Sequence, residues 1–318
     1  MNTPFLPGID DIRAAQERIA GYVRRTPVLR VAALKEPWNV AGPAVLKLEL
    51  FQVTGSFKPR GTINALRTLP PDIVARGLVT ASGGNHGLGV AYAGWVARAP
   101  VTVFLPVSTP PAKAGKIERW GARVVYEGPA WDEANAAARA FAERERLTYL
   151  HPFAEPAVIA GQGTIGLEIL EDVPEVDVVV VAIGGGGLIG GIAAAMAALK
   201  PRVRVVGVEP EGAATLYESM RAGRVITLDR IGTAAGTLAA RRSAEINLEL
   251  VRRYVDRIVL VSDDEMRQAA RWLWFELSLG TELAGAAAAA ALLTGKVPVA
   301  PAETVCLVVC GAGTDGFG

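Results

Sequence analysis

An uncharged segment from residue 178 to residue 199 places the strongest constraint on the fold. It is long enough to resemble a membrane span, but its composition changes twice along its length. Residues 178–183 are mostly β-branched, which is typical of a buried parallel strand, glycines crowd positions 184–191, and residues 192–199 are rich in alanine. These changes predict a strand, a glycine loop and a helix of a water-soluble protein.

Short apolar segments alternate with helical patterns along the whole chain. The predicted strands are residues 44–50, 77–81, 101–105, 123–126, 178–183, 203–209, 257–261 and 304–309. Because strands that alternate with helices form βαβ units, this pattern predicts an α/β fold with parallel sheets. Ile9, Ile12, Ile19 and Val23 recur at helical spacing, which predicts an amphipathic first helix rather than a signal peptide.

The length of 318 residues favours about two domains. Residues 51–145 contain three of the predicted strands with helices between them, which is enough for a small domain. We therefore predict a small mobile domain of residues 51–145, inserted into a large domain made of residues 1–50 and 146–318.

The charge balance excludes a broad electrostatic attraction to nucleic acid or to an anionic membrane, since 33 Lys and Arg oppose 32 Asp and Glu. The two cysteines, Cys306 and Cys310, would share one face of a strand, and two such residues suit neither a disulfide scaffold nor a zinc cluster. We expect a cytoplasmic protein that binds its ligands at a local site.

Lys58 stands between a Gly-Ser turn and a proline, in the string Thr54-Gly-Ser-Phe-Lys-Pro-Arg-Gly-Thr62. Proline is favoured at the first position of a helix, so Lys58 would lie at a helix N-terminus. The helix dipole disfavours an ammonium group there, which leaves a neutral amine able to attack an aldehyde. The alternative is a surface lysine near a turn.

Two glycine-rich strings each follow a predicted strand and precede a helix. In Ser82-Gly-Gly-Asn-His86, backbone N–H groups and the side chains of Ser82, Asn85 and His86 are suitable donors to an anion, although a purely structural turn is the alternative. The consecutive Gly184, Gly185, Gly186 and Gly187 cost backbone entropy, but they let the backbone close around a phosphate. Their spacing fits nucleotide-binding fingerprints poorly, so nucleotide binding is the second interpretation.

Two further polar residues are assigned no chemistry. His151 precedes a proline and has no partners in the order of a catalytic triad, so we interpret it as a structural histidine. Glu168 is expected near the start of a helix, where a carboxylate is electrostatically favoured.

Taken in order, four motifs resemble those of the fold-type II PLP enzymes, and within them the serine/threonine dehydratase and serine racemase family. The motifs are Gly55-Ser-Phe-Lys-Pro-Arg60, Ser82-Gly-Gly-Asn-His86, the four glycines and Cys310-Gly311. The likeness extends from about residue 10 to the end of the chain. It implies two open, twisted, mostly parallel sheets flanked by helices, as in the tryptophan synthase β-like architecture, with the active site at the domain cleft. Relatives are commonly homodimers or tetramers.

The resemblance also implies the residues that bind pyridoxal 5′-phosphate (PLP). Lys58 would hold PLP covalently and, once released by substrate, take the Cα proton. The remaining residues implied are Phe57 beside the ring, Asn85 at the ring hydroxyl, Cys310 at the pyridine nitrogen, Gly184, Gly185, Gly186, Gly187 and Leu188 at the phosphate, and Gly236 in a loop that borders the pocket. A thiol is a weak partner for the ring nitrogen, which favours β-elimination over transamination.

The implied substrate site contains Ser82, which is the second catalytic candidate, together with Gly83, Asn85 and His86 around the substrate carboxylate. Racemases of this family carry a serine directly after the position that matches Ser82. Here that position is Gly83, which cannot transfer a proton. The sequence therefore favours dehydration and deamination of a small L-hydroxy amino acid, L-threonine or L-serine, to a 2-oxo acid and ammonia.

The sequence does not fix the substrate. The stretch 233–242 departs from the family pattern and keeps only Gly236, so phenylserine, 3-hydroxyaspartate or a hydroxyectoine-derived compound are further candidate substrates. Serine racemisation is a second possible activity. A phosphate-binding or nucleotide-binding module without covalent chemistry is a third interpretation, but Lys58 argues against it, because a phosphate binder needs no lysine in that setting.

The resemblance implies a weak site for a monovalent or divalent cation at Glu209 and the Ala213 carbonyl. Thr215 stands where racemases carry a carboxylate, which removes one charged ligand. The chain ends at Gly318, shortly after the Cys310 loop, so we expect neither a C-terminal regulatory domain nor inhibition by isoleucine.

Overall fold

The computed structural model describes residues 4–38 and 40–316, and within them the chain forms two sheets flanked by helices. The strands are β1 Val28–Arg30, β2 Ala44–Lys47, β3 Leu78–Ala81, β4 Val101–Leu105, β5 Arg123–Tyr126, β6 Thr148–Tyr149, β7 Val176–Ala182, β8 Arg204–Pro210, β9 Arg257–Val261 and β10 Thr304–Val308. The helices are α1 Ile9–Ile19, α2 Lys58–Thr68, α3 Pro71–Arg76, α4 Asn85–Ala97, α5 Pro111–Glu118, α6 Trp131–Glu145, α7 Pro156–Asp172, α8 Gly187–Leu199, α9 Thr215–Ala222, α10 Glu245–Tyr254, α11 Asp263–Leu277 and α12 Leu283–Leu293. Short 3-10 turns occur at Glu49–Phe51 and Glu211–Ala213.

The larger sheet has the strand order β1-β2-β10-β7-β8-β9. Its strands pair in parallel except for β1, which is antiparallel to β2. The valines of β7 from 178 to 181 are fully buried, because helices cover both faces of the sheet centre. The uncharged segment is therefore a core strand, a loop and helix α8, and no described helix is long and apolar enough to cross a membrane.

The smaller sheet has the order β5-β4-β3-β6, with every pair parallel. Its last strand, β6, pairs with Leu78 and Val79 and lies just beyond the segment 51–145. The sequence did not predict β6 because two residues are too few to show an alternating pattern. The proposed division into two domains is compatible with a second sheet and stays a prediction.

The predicted α/β class with mostly parallel sheets is confirmed, and each of the eight predicted strands overlaps an observed one. The first prediction, residues 44–50, extends too far, since β2 ends at Lys47 and the chain then enters the 3-10 turn Glu49–Phe51. Strand β1 was missed because it is short, half-exposed and antiparallel.

A buried group of four charged side chains connects β2, helix α2 and helix α7. Arg60 donates from Nε to Glu49 at 2.8 Å and from Nη1 to Glu168 at 2.7 Å, and Lys47 donates to Glu168 at 2.6 Å. Two cations thus balance two carboxylates. Burial alone would raise the pKa of Glu168, but the hydrogen bonds and charges of Arg60 and Lys47 outweigh it and lower that pKa.

Glu168 does not lie where the sequence placed it. It is found in the last third of α7 rather than near the start of the helix. A carboxylate is disfavoured by the helix dipole at that end. The ion pairs with Arg60 and Lys47 offset this cost, and periodicity along one segment does not reveal partners that are distant in sequence.

We predict that Arg60→Ala lowers the free energy of unfolding by about 3–5 kcal/mol, because the change leaves two buried carboxylates with only one cation. Chemical denaturation of the purified variant measures this. The matched control is Arg76→Ala, which removes an exposed pair with Asp72 and should cost less than about 1 kcal/mol. Equal, small losses for both variants would contradict the prediction.

Candidate active site

A cavity of about 410 Å³ lies where the carboxyl ends of strands from both sheets face each other. Loops after β3 and β4 enclose it on one side, and loops after β7 and β10 enclose it on the other. Open parallel sheets bind their ligands at such strand ends. The cavity brings together the predicted site residues Phe57, Lys58, Ser82, Gly83, Asn85, His86, Gly184, Gly185, Gly186, Gly187, Leu188, Gly236 and Cys310.

Lys58 is the first residue of α2, as the sequence predicted, and Pro59 follows it in the first turn. Its Nζ donates to the Pro152 carbonyl at 2.9 Å and lies 5.0 Å from the centre of the Phe57 ring. Burial lowers the pKa of Lys58 to about 8, against the opposing effect of Cys310 and Glu282. A neutral amine is therefore accessible near physiological pH, and it faces the cavity.

The loop from Ser82 to Gly84 connects β3 to helix α4. The Ser82 hydroxyl accepts a hydrogen bond from the Gly84 N–H at 3.3 Å and faces the cavity. Asn85, the first residue of α4, donates from Nδ2 to Glu282 at 2.7 Å. An amide nitrogen has two hydrogens, so one remains for a second acceptor.

His86 departs from the expectation that its side chain is a donor to an anion. Its Nε2 faces the Leu150 carbonyl at 3.1 Å, so this nitrogen carries the hydrogen. The other nitrogen, Nδ1, is buried without a hydrogen-bond partner among the described residues and can only accept. Burial keeps the pKa of His86 well below its ordinary value, so the ring is neutral. Only the backbone N–H of His86 remains as a donor to an anion.

His151 has the structural role that we assigned to it. Its Nδ1 accepts hydrogen bonds from the backbone N–H groups of Phe153 and Ala154, at 3.2 and 3.0 Å. These bonds shape the turn that leads into α7 and place Phe153 against the glycine loop.

Residues 184–187 form a cradle of glycines, and none of the four positions has room for a side chain of its own. Gly186 has φ +97°, and a Cβ on Gly185 would collide with the Phe153 ring. The Gly185 carbonyl is held by Ser243 at 2.8 Å and by Asn247 at 2.7 Å. The first N–H groups of α8, which have no partner inside the helix, begin at this loop and favour a phosphate.

Glu282 is a site residue that the sequence did not reveal. It precedes α12, is buried, and lines the cavity beside Asn85. Burial, followed by repulsion from Asp315, raises its pKa to about 7, while hydrogen bonds from Asn85 and Thr237 oppose the rise. A single acidic residue before an alanine-rich helix is the only signal in the sequence, and it does not distinguish Glu282 from an ordinary helix-capping residue.

Cys310 is buried at the end of the cavity near Lys58. Its thiol donates to the Ala284 carbonyl at 3.3 Å, and the Cys310 carbonyl accepts from the Phe57 N–H at 3.2 Å. Burial raises the pKa of Cys310, so the thiol stays neutral. The second bond fixes the start of α2 relative to this cysteine.

The residues implied for a cation lie around the start of helix α9, and a cation there stays a prediction. Both carboxylate oxygens of Glu209 accept backbone hydrogen bonds, from Leu216 and Tyr217, at 2.8 Å each. The Thr215 hydroxyl donates to the Ala240 carbonyl, next to the cavity loop. Among residues 4–38 and 40–316, no group of three or more His, Cys, Asp or Glu is arranged to hold a metal. Glu209 caps helix α9.

The sequence profile of the family described as pyridoxal-phosphate dependent enzyme matches residues 19–311. The chain belongs to this family. L-threonine ammonia-lyase of Thermotoga maritima is 39% identical over 307 residues, covering 96% of this chain and 76% of that protein. Phenylserine dehydratase of Ralstonia pickettii is 38% identical over 316 residues, covering 99% and 96%. Maize serine racemase has a TM-score of 0.92 at 33% identity, covering 97% and 94%.

The family that the motifs predicted is thereby confirmed, and PLP is its cofactor. The cavity of this PLP-dependent enzyme fits the group. Its glycine cradle would hold a phosphate, and the Lys58 amine would hold an aldehyde carbon. The remaining hydrogen of the Asn85 amide is available for the ring hydroxyl, and the neutral Cys310 thiol would donate to the ring nitrogen in place of the Ala284 carbonyl.

We predict that covalent attachment of PLP to the apoprotein becomes faster as the pH rises and levels off above about 8, because only the neutral Lys58 amine is nucleophilic. Visible absorption after mixing, recorded from pH 6 to pH 10 (a range of roughly two units on either side of 8), measures the rate. Lys58→Ala should show no attachment. A rate that is still increasing at the upper end of this range, as the ordinary lysine pKa of 10.5 would require, would contradict the prediction.

Proposed function

We propose that this PLP-dependent ammonia-lyase removes water from L-threonine or L-serine, after which the enamine product hydrolyses to a 2-oxo acid and ammonia. The observation that carries the proposal is the Lys58 amine, which faces the same cavity as the Ser82 loop and the glycine cradle. The ammonia-lyase activity of the named relative from Thermotoga maritima supports the reaction class.

PLP, when bound, supplies an electron sink that stabilises negative charge at the substrate Cα. Lys58 is the base that takes the Cα proton. Its lowered pKa suits this role, since a general base is most effective when its pKa lies near the working pH. The Pro152 carbonyl accepts a hydrogen bond from the amine and thereby orients it within the cavity.

The substrate carboxylate binds at the loop of residues 82–86. The support is electrostatic, because the backbone N–H groups at the start of α4 point toward an anion and the dipole of this thirteen-residue helix adds to the attraction. Ser82 contributes its hydroxyl, whereas the Asn85 amide donates to Glu282 and to the ring hydroxyl, so Asn85 contributes only its backbone N–H to the carboxylate. Ser82 therefore assists catalysis by orienting the substrate.

Racemisation is the weaker interpretation, although a serine racemase is among the similar solved structures. A racemase needs a second group that transfers a proton on the opposite face of Cα. Gly83 follows Ser82 at the position where the resemblance expects a serine, and glycine has no side chain to do this. Elimination, in contrast to racemisation, needs only one base at Cα, which is Lys58.

The identity of the substrate side chain is the open part of the proposal. Relatives named for threonine and for phenylserine have nearly equal identity to this chain. We favour threonine and serine, and we retain phenylserine, 3-hydroxyaspartate and a hydroxyectoine-derived compound as candidates. We also propose a cytoplasmic homodimer or homotetramer, following the resemblance.

The test of the proposal is a visible absorption spectrum of the purified protein, followed by addition of each candidate hydroxy amino acid with detection of the 2-oxo acid. We expect an absorption band near 410 nm, roughly the position for a lysine-bound cofactor, and release of oxo acid from L-threonine or L-serine. Lys58→Ala should lose both. A colourless protein that PLP does not reconstitute, or D-serine formed without oxo acid, would contradict the proposal.

We propose that the reaction needs no added cation, because each Glu209 oxygen already accepts a backbone hydrogen bond and Thr215 supplies no second carboxylate. Dialysis against EDTA should leave both the elimination rate and the thermal midpoint unchanged, and magnesium or potassium should restore nothing. Thr215→Asp is the matched variant, since it adds a carboxylate beside Glu209 and should introduce a response to magnesium. Loss of activity after dialysis, regained with either ion, would refute cation independence.

A further inference from the structure

Thr109 and Gly83 compete for the same space at the edge of the cavity. A Cβ built on Gly83 would lie 2.8 Å from Thr109 Oγ1 and 2.9 Å from Thr109 Cγ2. Real Cβ atoms essentially never approach neighbours this closely. The volume in front of residue 83 is therefore filled from residue 109, and the two positions form a complementary pair.

The position of Thr109 follows from the sheet. Strands β3 and β4 pair in parallel, so the loops after them lie side by side at one end of the smaller sheet. The Ser82 N–H donates to the Phe104 carbonyl at 3.1 Å, which joins the loop after β3 to strand β4. The Thr109 N–H donates to the Pro106 carbonyl at 2.9 Å, and helix α5 begins two residues later at Pro111. Thr109 is thus held in a defined turn.

The Thr109 hydroxyl has no hydrogen-bond partner in the described residues, although Thr109 is half-buried and lines the same cavity as Lys58 and Ser82. Its neighbour Gly83 belongs to the loop that we assign to the substrate carboxylate. The hydroxyl therefore lies beside that loop with a hydrogen to donate. A substrate that enters the cavity brings the acceptor that the protein itself does not provide.

We propose that Thr109 is a substrate-binding residue whose hydroxyl donates a hydrogen bond to the substrate α-carboxylate. The proposal rests on the proposed function, because it uses the carboxylate position assigned there. It also explains why residue 83 is glycine: a larger residue would displace the Thr109 side chain. The hydroxyl group next to the loop of residues 82–86 is therefore supplied by Thr109, since residue 83 is glycine and has no side chain.

The first test compares Thr109→Val with Thr109→Ser. Valine keeps the shape of threonine but lacks the hydroxyl, whereas serine keeps the hydroxyl. We expect Thr109→Val to raise KM for the hydroxy amino acid substrate roughly tenfold or more, the usual effect of losing a hydrogen bond to a charged group, with little change in kcat or in the PLP absorption band. Thr109→Ser should resemble the unaltered enzyme. A KM that valine leaves unchanged would overturn the proposal.

A binding measurement separates failure of this proposal from failure of the proposed function. L-alanine has the amine and the carboxylate but no hydroxyl to eliminate, so its spectral titration of the holoenzyme reports binding alone. A roughly tenfold higher Kd in Thr109→Val than in Thr109→Ser supports the carboxylate contact even if no hydroxy amino acid is turned over. Equal Kd values would overturn the contact whatever the reaction proves to be.

The second test is a double-mutant cycle on the shared volume. Gly83→Ala in the unaltered holoenzyme should lower the thermal midpoint by roughly 2–4 °C, because the new methyl group meets Thr109. The same change made together with Thr109→Ala should cost less, since the space is then free. Equal costs in both backgrounds would show that residues 83 and 109 do not compete, and would overturn the pairing on which the proposal depends.

Discussion

The buried ion pairs of Arg60 fix the position of the helix that carries Lys58. Arg60 lies two residues after Lys58 on α2, and it is held by Glu49 after β2 and by Glu168 on α7. Buried charges are costly unless they are paired, so these ion pairs hold the three elements together in this arrangement. The bond from Phe57 to the Cys310 carbonyl then sets the start of α2 against the last strand.

Burial controls the chemistry of the cavity more than any single charge does. It lowers the pKa of Lys58 to about 8 and raises that of Glu282 to about 7. Both groups therefore favour their neutral forms more than they would in water. The backbone N–H groups at the starts of α4 and α8 are donors that suit an anion without a buried cation. The amine is thereby available for covalent chemistry.

Local patterns in the sequence predicted much of this arrangement. The β-branched run of β7, the four glycines and the proline after Lys58 each determine backbone structure over a few residues, and each was found where it was expected. Contacts between distant segments were not predictable. Glu282 reaches Asn85 across 197 positions of the chain, and Arg60 reaches Glu168 across 108. The donor role expected for the His86 ring was wrong for the same reason, since its partner is the carbonyl of Leu150.

The sequence by itself determined the α/β class, the order of the strands and helices along the chain, and the residues of the lysine and glycine motifs, because each depends on backbone preferences of neighbouring residues. Only the tertiary structure decided which side chains share the cavity, how burial shifts their pKa values, and that Glu209 caps helix α9. These properties depend on the distance between groups and on their exclusion from water, and folding alone sets both.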